Sequence, residues 1–198
     1  MGTVTSIYFF MHKFIFLVAC VLTFQSAASQ ELKVAYFGES FTHYGLKGGY
    51  SITLRSVDKQ TKKGHSVTNA VAFTPGLAIY RHAHNHVGLI VMPDVSYRRK
   101  NEKGRIFETG ISPGLFRSFL EGKVYEVNEA GELEKLTLAG RTAFMPTVFI
   151  GIGKDLSVKR EIPISWYARL NVMKQVPYNA SSLTRFAIEF GIIKPLIF

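Results

Sequence analysis

The chain has 198 residues, a formal net charge of +10 and one cysteine. Its length is that of one domain once a targeting segment is removed, and a lone cysteine excludes a disulfide framework and a cysteine-based metal site. The 24 Lys and Arg residues are spread along the chain, which argues against nucleic acid as a partner and suits solvated turns or a surface beside lipopolysaccharide phosphates.

The first segment of the chain predicts export. An apolar core over residues 14–24 follows two polar residues and precedes a run of small ones. This core is too short to cross a bilayer as a helix, and the arrangement is typical of a secretory signal peptide. We therefore expect a signal peptide over 1–29, with Met11 as an alternative start, and a mature domain over 30–198. The residues before Cys20 also resemble a lipobox, which leaves lipoprotein processing as the alternative.

Two runs of alternating residues begin the mature chain. Residues 32–39 alternate apolar side chains with polar or smaller ones, which predicts either a first strand or an N-terminal arm. Residues 46–56 predict a clearer strand, because Leu46, Tyr50 and Ile52 share one face of an extended chain.

The alternation is most regular between residues 66 and 119, where a period of two indicates three consecutive strands. One face is apolar and consists of Val71, Phe73, Leu77, Ile79, Val87, Leu89, Val91, Val95, Tyr97, Phe107, Ile111 and Leu115. The other face consists mainly of Gly, Ala, Ser and Thr with a few charges. A wide apolar face opposite a small polar one favours a membrane β-barrel, with lipid outside and a narrow polar interior.

The later chain repeats this pattern with one exception. Residues 120–136 predict a polar hairpin that continues two strands beyond the membrane, and further strands are predicted over 139–155, over 162–173 and after the turn at 174–181. Four prolines fall in the middle of predicted strands, namely Pro75, Pro93, Pro113 and Pro146. Because proline removes a ladder donor, we expect local β-bulges at these positions.

The strand count defines the architecture. With residues 32–39 included there are eight strands, and bacterial single-chain barrels have an even number. The fold class is therefore all-β, an antiparallel up-and-down transmembrane barrel whose lumen is filled by side chains. With both chain ends in the periplasm, the periplasmic turns are 57–65, 99–105 and 155–161, and the external ones are 40–45, 82–86, 120–136 and 174–181.

The signal peptide, the alternating strands and the terminal Phe198 resemble the small eight-stranded outer-membrane β-barrel proteins of Gram-negative bacteria. The resemblance implies an outer-membrane location and contact with membrane lipids and lipopolysaccharide. It also implies that Phe198 is the insertion signal read by the barrel-insertion machinery. A protein of the cell envelope is a further expected partner, and no cofactor is expected.

Seven charged residues are predicted to face the lumen: Arg55, Asp94, Arg98, Glu108, Arg169, Arg185 and Glu189. An unpaired buried charge costs several kcal/mol, so we expect these side chains to form a salt-bridge network. An ion or proton path is the alternative, although a filled lumen argues against it.

Two other sets of residues suggest chemistry. His82, His84 and His86 alternate along the chain, a spacing that can present imidazoles to a metal, although a tight turn would splay them. Some eight-stranded barrels are lipid A deacylases with a His-any-Ser tripeptide, which this sequence lacks. The remaining options are Ser40 with His43, or Ser181 with a distant His.

Three functions follow from these observations. The first is a non-enzymatic outer-membrane barrel that acts through its external loops or as a partner in an envelope assembly. The second is a lipid A-modifying hydrolase of the deacylase kind. The third is a soluble periplasmic barrel that binds a lipid or another ligand, and it requires the apolar face to point inwards.

Overall fold

The computed structural model describes residues 30–39, 43–62, 64–127, 131–179 and 181–196. The predicted signal peptide, Ser40 and the insertion signal at Phe198 lie outside these residues. Within them, almost the whole chain is extended and antiparallel.

The described strands and the single helical turn follow one another as β1 (Gln30–Gly38), β2 (His43–Gln60), β3 (Ser66–His82), β4 (His86–Asn101), β5 (Arg105–Leu120), β6 (Val124–Val127), β7 (Leu133–Leu136), β8 (Thr142–Asp155), α1 (Ser157–Arg160), β9 (Ser165–Tyr178) and β10 (Ser181–Leu196). Eight strands close into a barrel in the order β1-β10-β9-β8-β5-β4-β3-β2. The predicted up-and-down barrel is therefore confirmed. No helix in the described part of the chain is long and apolar enough to span a membrane.

Strand β1 closes the ring. Val34 lies opposite Gly48 of β2 on one side and opposite Ile192 of β10 on the other. The prediction of a first strand over 32–39 is thus confirmed, and the alternative of an N-terminal arm is wrong. Closure leaves no strand edge unpaired, which is the condition for a sheet to lie in lipid.

The two faces of the wall point as predicted. Outward-facing Ile111 and Ile188 are 58% and 59% exposed, whereas inward-facing Ala78 and Met92 are fully buried. A continuous apolar outer surface on a closed sheet is the lipid-facing wall of a membrane barrel. The soluble alternative required the opposite orientation and does not fit this wall.

The barrel has two ends, which we name by what they carry. The hairpin end bears β6 and β7, which form a separate two-stranded sheet, together with the β3–β4 and β9–β10 turns. The terminal end carries Gln30, Leu196 and α1. The hairpin predicted over 120–136 is confirmed, but it is not a continuation of the barrel strands.

The mid-strand prolines do not produce bulges, so that prediction is wrong. Pro75 pairs with Pro93 and Pro113 pairs with Pro146, and the register continues unbroken through both pairs. Two prolines that face each other both lack a backbone N–H, so no donor is left unpaired at that position of the ladder. Neither strand therefore needs the additional residue of a bulge. The bulges lie elsewhere, at Thr53/Arg55 of β2 and at Ser181/Leu183 of β10.

The side chains fill the lumen in layers. A cluster of large buried side chains, including Phe37, Met92 and Met145, occupies the half toward the hairpin end. A smaller cluster of Ala35, Tyr167 and Ile193 lies on the other side. Charged residues lie between and around these clusters, so that the narrow interior is packed rather than open.

A charge on the outer wall tests its contact with lipid. Ile150, near the middle of β8, is 51% exposed, and Ile150→Arg should lower the free energy of unfolding in bilayers by about 2–4 kcal/mol. Leu133→Arg on the hairpin is the matched control, because Leu133 is 74% exposed outside the barrel sheet. Urea unfolding in phospholipid vesicles measures both variants, and equal effects would contradict the assignment of the wall.

Candidate functional site

The lumen contains a network of buried ion pairs that joins six strands. Its cations are Lys33, Lys47, Arg98 and Arg169, and its carboxylates are Glu31, Asp94, Glu108 and Glu189. The equal numbers of cations and carboxylates mean that the interior carries these charges without a net charge. Such balance is what burial in a low-dielectric interior demands.

Arg169 of β9 is the centre of the network. Its Nη2 lies 2.7 Å from Oε2 of Glu108, and its Nη1 lies 3.2 Å from Oδ2 of Asp94 and 3.5 Å from Oε1 of Glu189. The position of its side chain requires a glycine on the neighbouring strand, because a Cβ at Gly151 would lie 2.6 Å from Cγ of Arg169. One guanidinium therefore links three carboxylates from three other strands.

Two lysines complete the pairing of these carboxylates. Nζ of Lys47 lies 2.8 Å from Asp94 and 3.2 Å from Glu189, and Nζ of Lys33 lies 3.3 Å from Glu108. Each of the three carboxylates thus faces a cation from β1 or β2 as well as Arg169. This arrangement fixes the register of distant strands, and it fills the space that an ion path would need.

Five of the seven predicted lumen charges belong to the network, namely Asp94, Arg98, Glu108, Arg169 and Glu189. Arg185 also faces the lumen, but it lies in a separate cluster nearer the hairpin end.

Arg55 is exposed, so its assignment to the lumen is wrong. The bulge between Thr53 and Arg55 shifts the strand by one residue and reverses which face each later side chain joins. Lys33 and Lys47 were missed, although their positions in the alternation place both on the inward face.

The cluster of Arg185, Glu39, Tyr80 and Gln175 lies in the lumen at the hairpin end, below the mouth of the barrel, and we call it the floor. Nη2 of Arg185 lies 2.5 Å from Oε1 of Glu39 and donates to the hydroxyl of Tyr80 at 2.6 Å, while Nη1 donates to Gln175 at 3.1 Å. Gly88 leaves room for the ring, since a Cβ there would lie 2.3 Å from Cε1 of Tyr80. Glu39 follows β1, and burial raises the pKa of its carboxyl while Arg185 opposes this effect.

Three histidines border this floor, but they are not the three that were predicted as metal ligands. The ring centroids of His82 and His86 are 5.5 Å apart, and those of His43 and His82 are 3.9 Å apart. His84 has a φ of 64° in the turn between β3 and β4. The site of His82, His84 and His86 is therefore not formed, and no three His, Cys, Asp or Glu residues in the described ranges are arranged to hold a metal.

A cavity of about 1210 Å³ opens above this floor, and we call it the vestibule. Its lining combines histidines, arginines and apolar side chains, among them His43, His82, His86, Glu39, Phe116, Arg117, Leu138, Arg141, Leu183 and Arg185. The vestibule lies at the hairpin end, separated from the terminal end by the packed lumen. It combines charged and apolar groups in one concave surface, which makes it the candidate binding site.

The residues predicted for hydrolysis do not assemble a site in the described chain. Ser40 lies outside the described residues, and Ser181 is exposed at the first position of β10. Nothing in the geometry of these residues favours acyl transfer, which needs a nucleophile beside a positioned base.

No family model matches the chain, and no curated protein matches it. Among solved structures, Neisserial surface protein A is similar over 86% of this chain and 100% of its own, with 11% identity and a TM-score of 0.49. The β domain of the Bordetella autotransporter BrkA is similar over 86% of this chain and 100% of its own, with 9% identity and a TM-score of 0.35. Neither likeness assigns an activity to this chain.

Removal of the central guanidinium tests the network. Arg169→Met leaves three buried carboxylates short of one cation, and we expect it to lower the free energy of unfolding by about 3–5 kcal/mol. Arg99→Met is the matched control, because Arg99 is exposed near the terminal end of β4. Urea unfolding in detergent micelles measures both, and a loss below about 1 kcal/mol for Arg169→Met would contradict the central role.

Proposed function

We propose that the protein is a non-enzymatic, non-conducting barrel of the outer membrane that acts through the loops of its hairpin end. The observation that carries this proposal is the filled lumen, whose interior is occupied by the Arg169 network and by a layer of buried Met and Phe side chains. A barrel that conducts nothing must act through its ends or its wall.

The outer-membrane location is supported by the apolar wall and by the signal peptide predicted over residues 1–29. In the orientation expected for a barrel with both chain ends in the periplasm, the hairpin end faces outward. The net charge of +10 suits turns that lie beside the phosphates of lipopolysaccharide.

The hairpin of β6 and β7 is the surface best suited to a protein partner. Tyr125, Val127 and Leu133 are 52%, 63% and 74% exposed, although they lie outside the lipid-facing barrel sheet. Exposed apolar side chains grouped on a short projecting element are typical of a contact surface for another protein. An envelope protein is therefore the partner that we propose.

The first experiment tests the membrane and conduction statements together. We expect the protein in the outer-membrane fraction and a shift in gel mobility after boiling in SDS, because a closed barrel stays folded until heated. In planar bilayers it should give no conductance steps. Recovery from the aqueous periplasmic extract, or stable ion-conducting steps, would contradict the proposal.

The second experiment tests the hairpin. Replacing residues 124–136 with a short Gly-Asn turn should leave the heat-dependent mobility shift intact, because β6 and β7 form a sheet separate from the barrel. It should remove the envelope proteins that crosslink to the wild-type chain. The double variant Tyr125→Ser, Leu133→Ser keeps the loop length, and an unchanged set of crosslinked proteins in both variants would argue against this surface.

A further inference from the structure

The vestibule is not confined to the lumen. Its lining includes inward-facing Phe116 and Arg185, and also outward-facing Arg117, Thr184 and Phe186. Phe116 is 2% exposed, whereas Phe186 is 57% exposed on the lipid-facing wall. The lining residues come from both faces of the sheet, so the vestibule extends from the lumen to the outer face of the wall at the hairpin end.

The strand ladder is interrupted between β8 and β9, close to the hairpin end. Phe144 of β8 pairs with Val176 of β9, but the next paired residues are Thr147 and Met173, and Pro146 lies in the interval. On the other side of β9, the register shifts between Ser181 and Leu183 of β10. Missing ladder pairs and a bulge on adjacent strands therefore interrupt the regular pairing of the wall beside the vestibule.

An apolar groove on the outer wall leads to the same place. The groove has a volume of about 520 Å³ and is lined by Pro113, Pro146, Val148, Val172, Lys174 and Thr184, among others. Thr184 also lines the vestibule, so the two cavities meet at this residue. The groove and the vestibule therefore lie side by side, with the groove on the lipid-facing surface and the vestibule at the mouth of the barrel.

The lining of the vestibule has an excess of positive charge. Arg117 donates to the carbonyl oxygen of Leu138 at 3.2 Å and to Oγ1 of Thr142 at 3.1 Å, and Arg141 donates to Oδ1 of Asn179 at 2.8 Å. These acceptors are neutral. Among the described residues of the lining the carboxylate is Glu39, which pairs with Arg185. The charges of Arg117 and Arg141 are therefore available to a ligand.

From these observations we propose that the vestibule and the adjoining groove bind an anionic amphiphile. Its acyl chain lies along the groove beside Pro113 and Pro146, and its carboxylate or phosphate lies between Arg117 and Arg141. The inference rests on the membrane location proposed above, because the groove opens on the lipid-facing wall. A free fatty acid and an anionic membrane lipid share this chemistry.

The test uses the full mature chain in nanodiscs of zwitterionic phosphatidylcholine. The probe is a dansylated undecanoate, whose emission rises and shifts to the blue when it enters an apolar site. We expect saturable binding and displacement by an anionic amphiphile, but not by decyltrimethylammonium or by inorganic phosphate alone. Displacement by decanoate indicates a fatty-acid site, and displacement by decyl phosphate indicates a site for a lipid phosphate.

Two variants and one control test the two arginines and the adjoining groove separately. Arg117→Gln with Arg141→Gln should weaken probe binding at least about tenfold, since hydrogen bonds between a guanidinium and an anion are stronger than those between neutral groups. Arg99→Gln with Arg105→Gln removes the same charge at the terminal end and should leave binding unchanged. Thr184→Trp fills the junction of the two cavities from the outer face and should also weaken binding, without altering the lumen.

The outcomes distinguish this inference from the function on which it rests. A barrel that inserts and shifts on heating, yet binds the probe equally well in the Arg117 and Arg141 variant, overturns the ligand site alone. Equal displacement by decyltrimethylammonium overturns it as well. A chain that does not enter bilayers overturns the membrane function and this inference together.

Discussion

The contact of Arg169 with Asp94, Glu108 and Glu189 is the interaction on which the rest of the barrel depends. An eight-stranded ring is only wide enough for its own side chains, so every inward charge is desolvated and must be paired. Here one guanidinium pairs with carboxylates of β4, β5 and β10, and lysines of β1 and β2 pair with the same groups. The network therefore stabilises the closed ring and, for the same reason, closes the lumen.

The outer wall follows a second constraint, because lipid offers no partner to a backbone group. Closure of the ring through β1 satisfies it almost everywhere. The four prolines of β3, β4, β5 and β8 have no backbone N–H, so fewer donors need a partner at their positions. They face one another in pairs, and the register continues through both pairs. The groove on the outer wall lies along this side of the barrel, where Pro113 and Pro146 face each other.

Most of the fold could be predicted from the period of two in the sequence, because the same alternation fixes strand number and the direction of each side chain. The pattern also identified Asp94, Glu108 and Arg169 as inward charges. It failed at Arg55, because a bulge inserts one residue without any signal in an alternating sequence. It also failed for the histidines, because the contact of His43 with His82 arises from the pairing of β2 with β3 rather than from spacing along the chain.

The arginines show how one residue type takes two roles within the same barrel. The side chain of Arg169 is 1% exposed and is surrounded by carboxylates, so its charge is fully paired inside the lumen. Arg117 and Arg141 hydrogen-bond to neutral oxygens at the mouth, where the lining has few acids to oppose them. The packed lumen separates these two arginines from the terminal end of the barrel. An anion attracted to them meets apolar surface on both sides of the wall, which is the combination that an amphiphile requires.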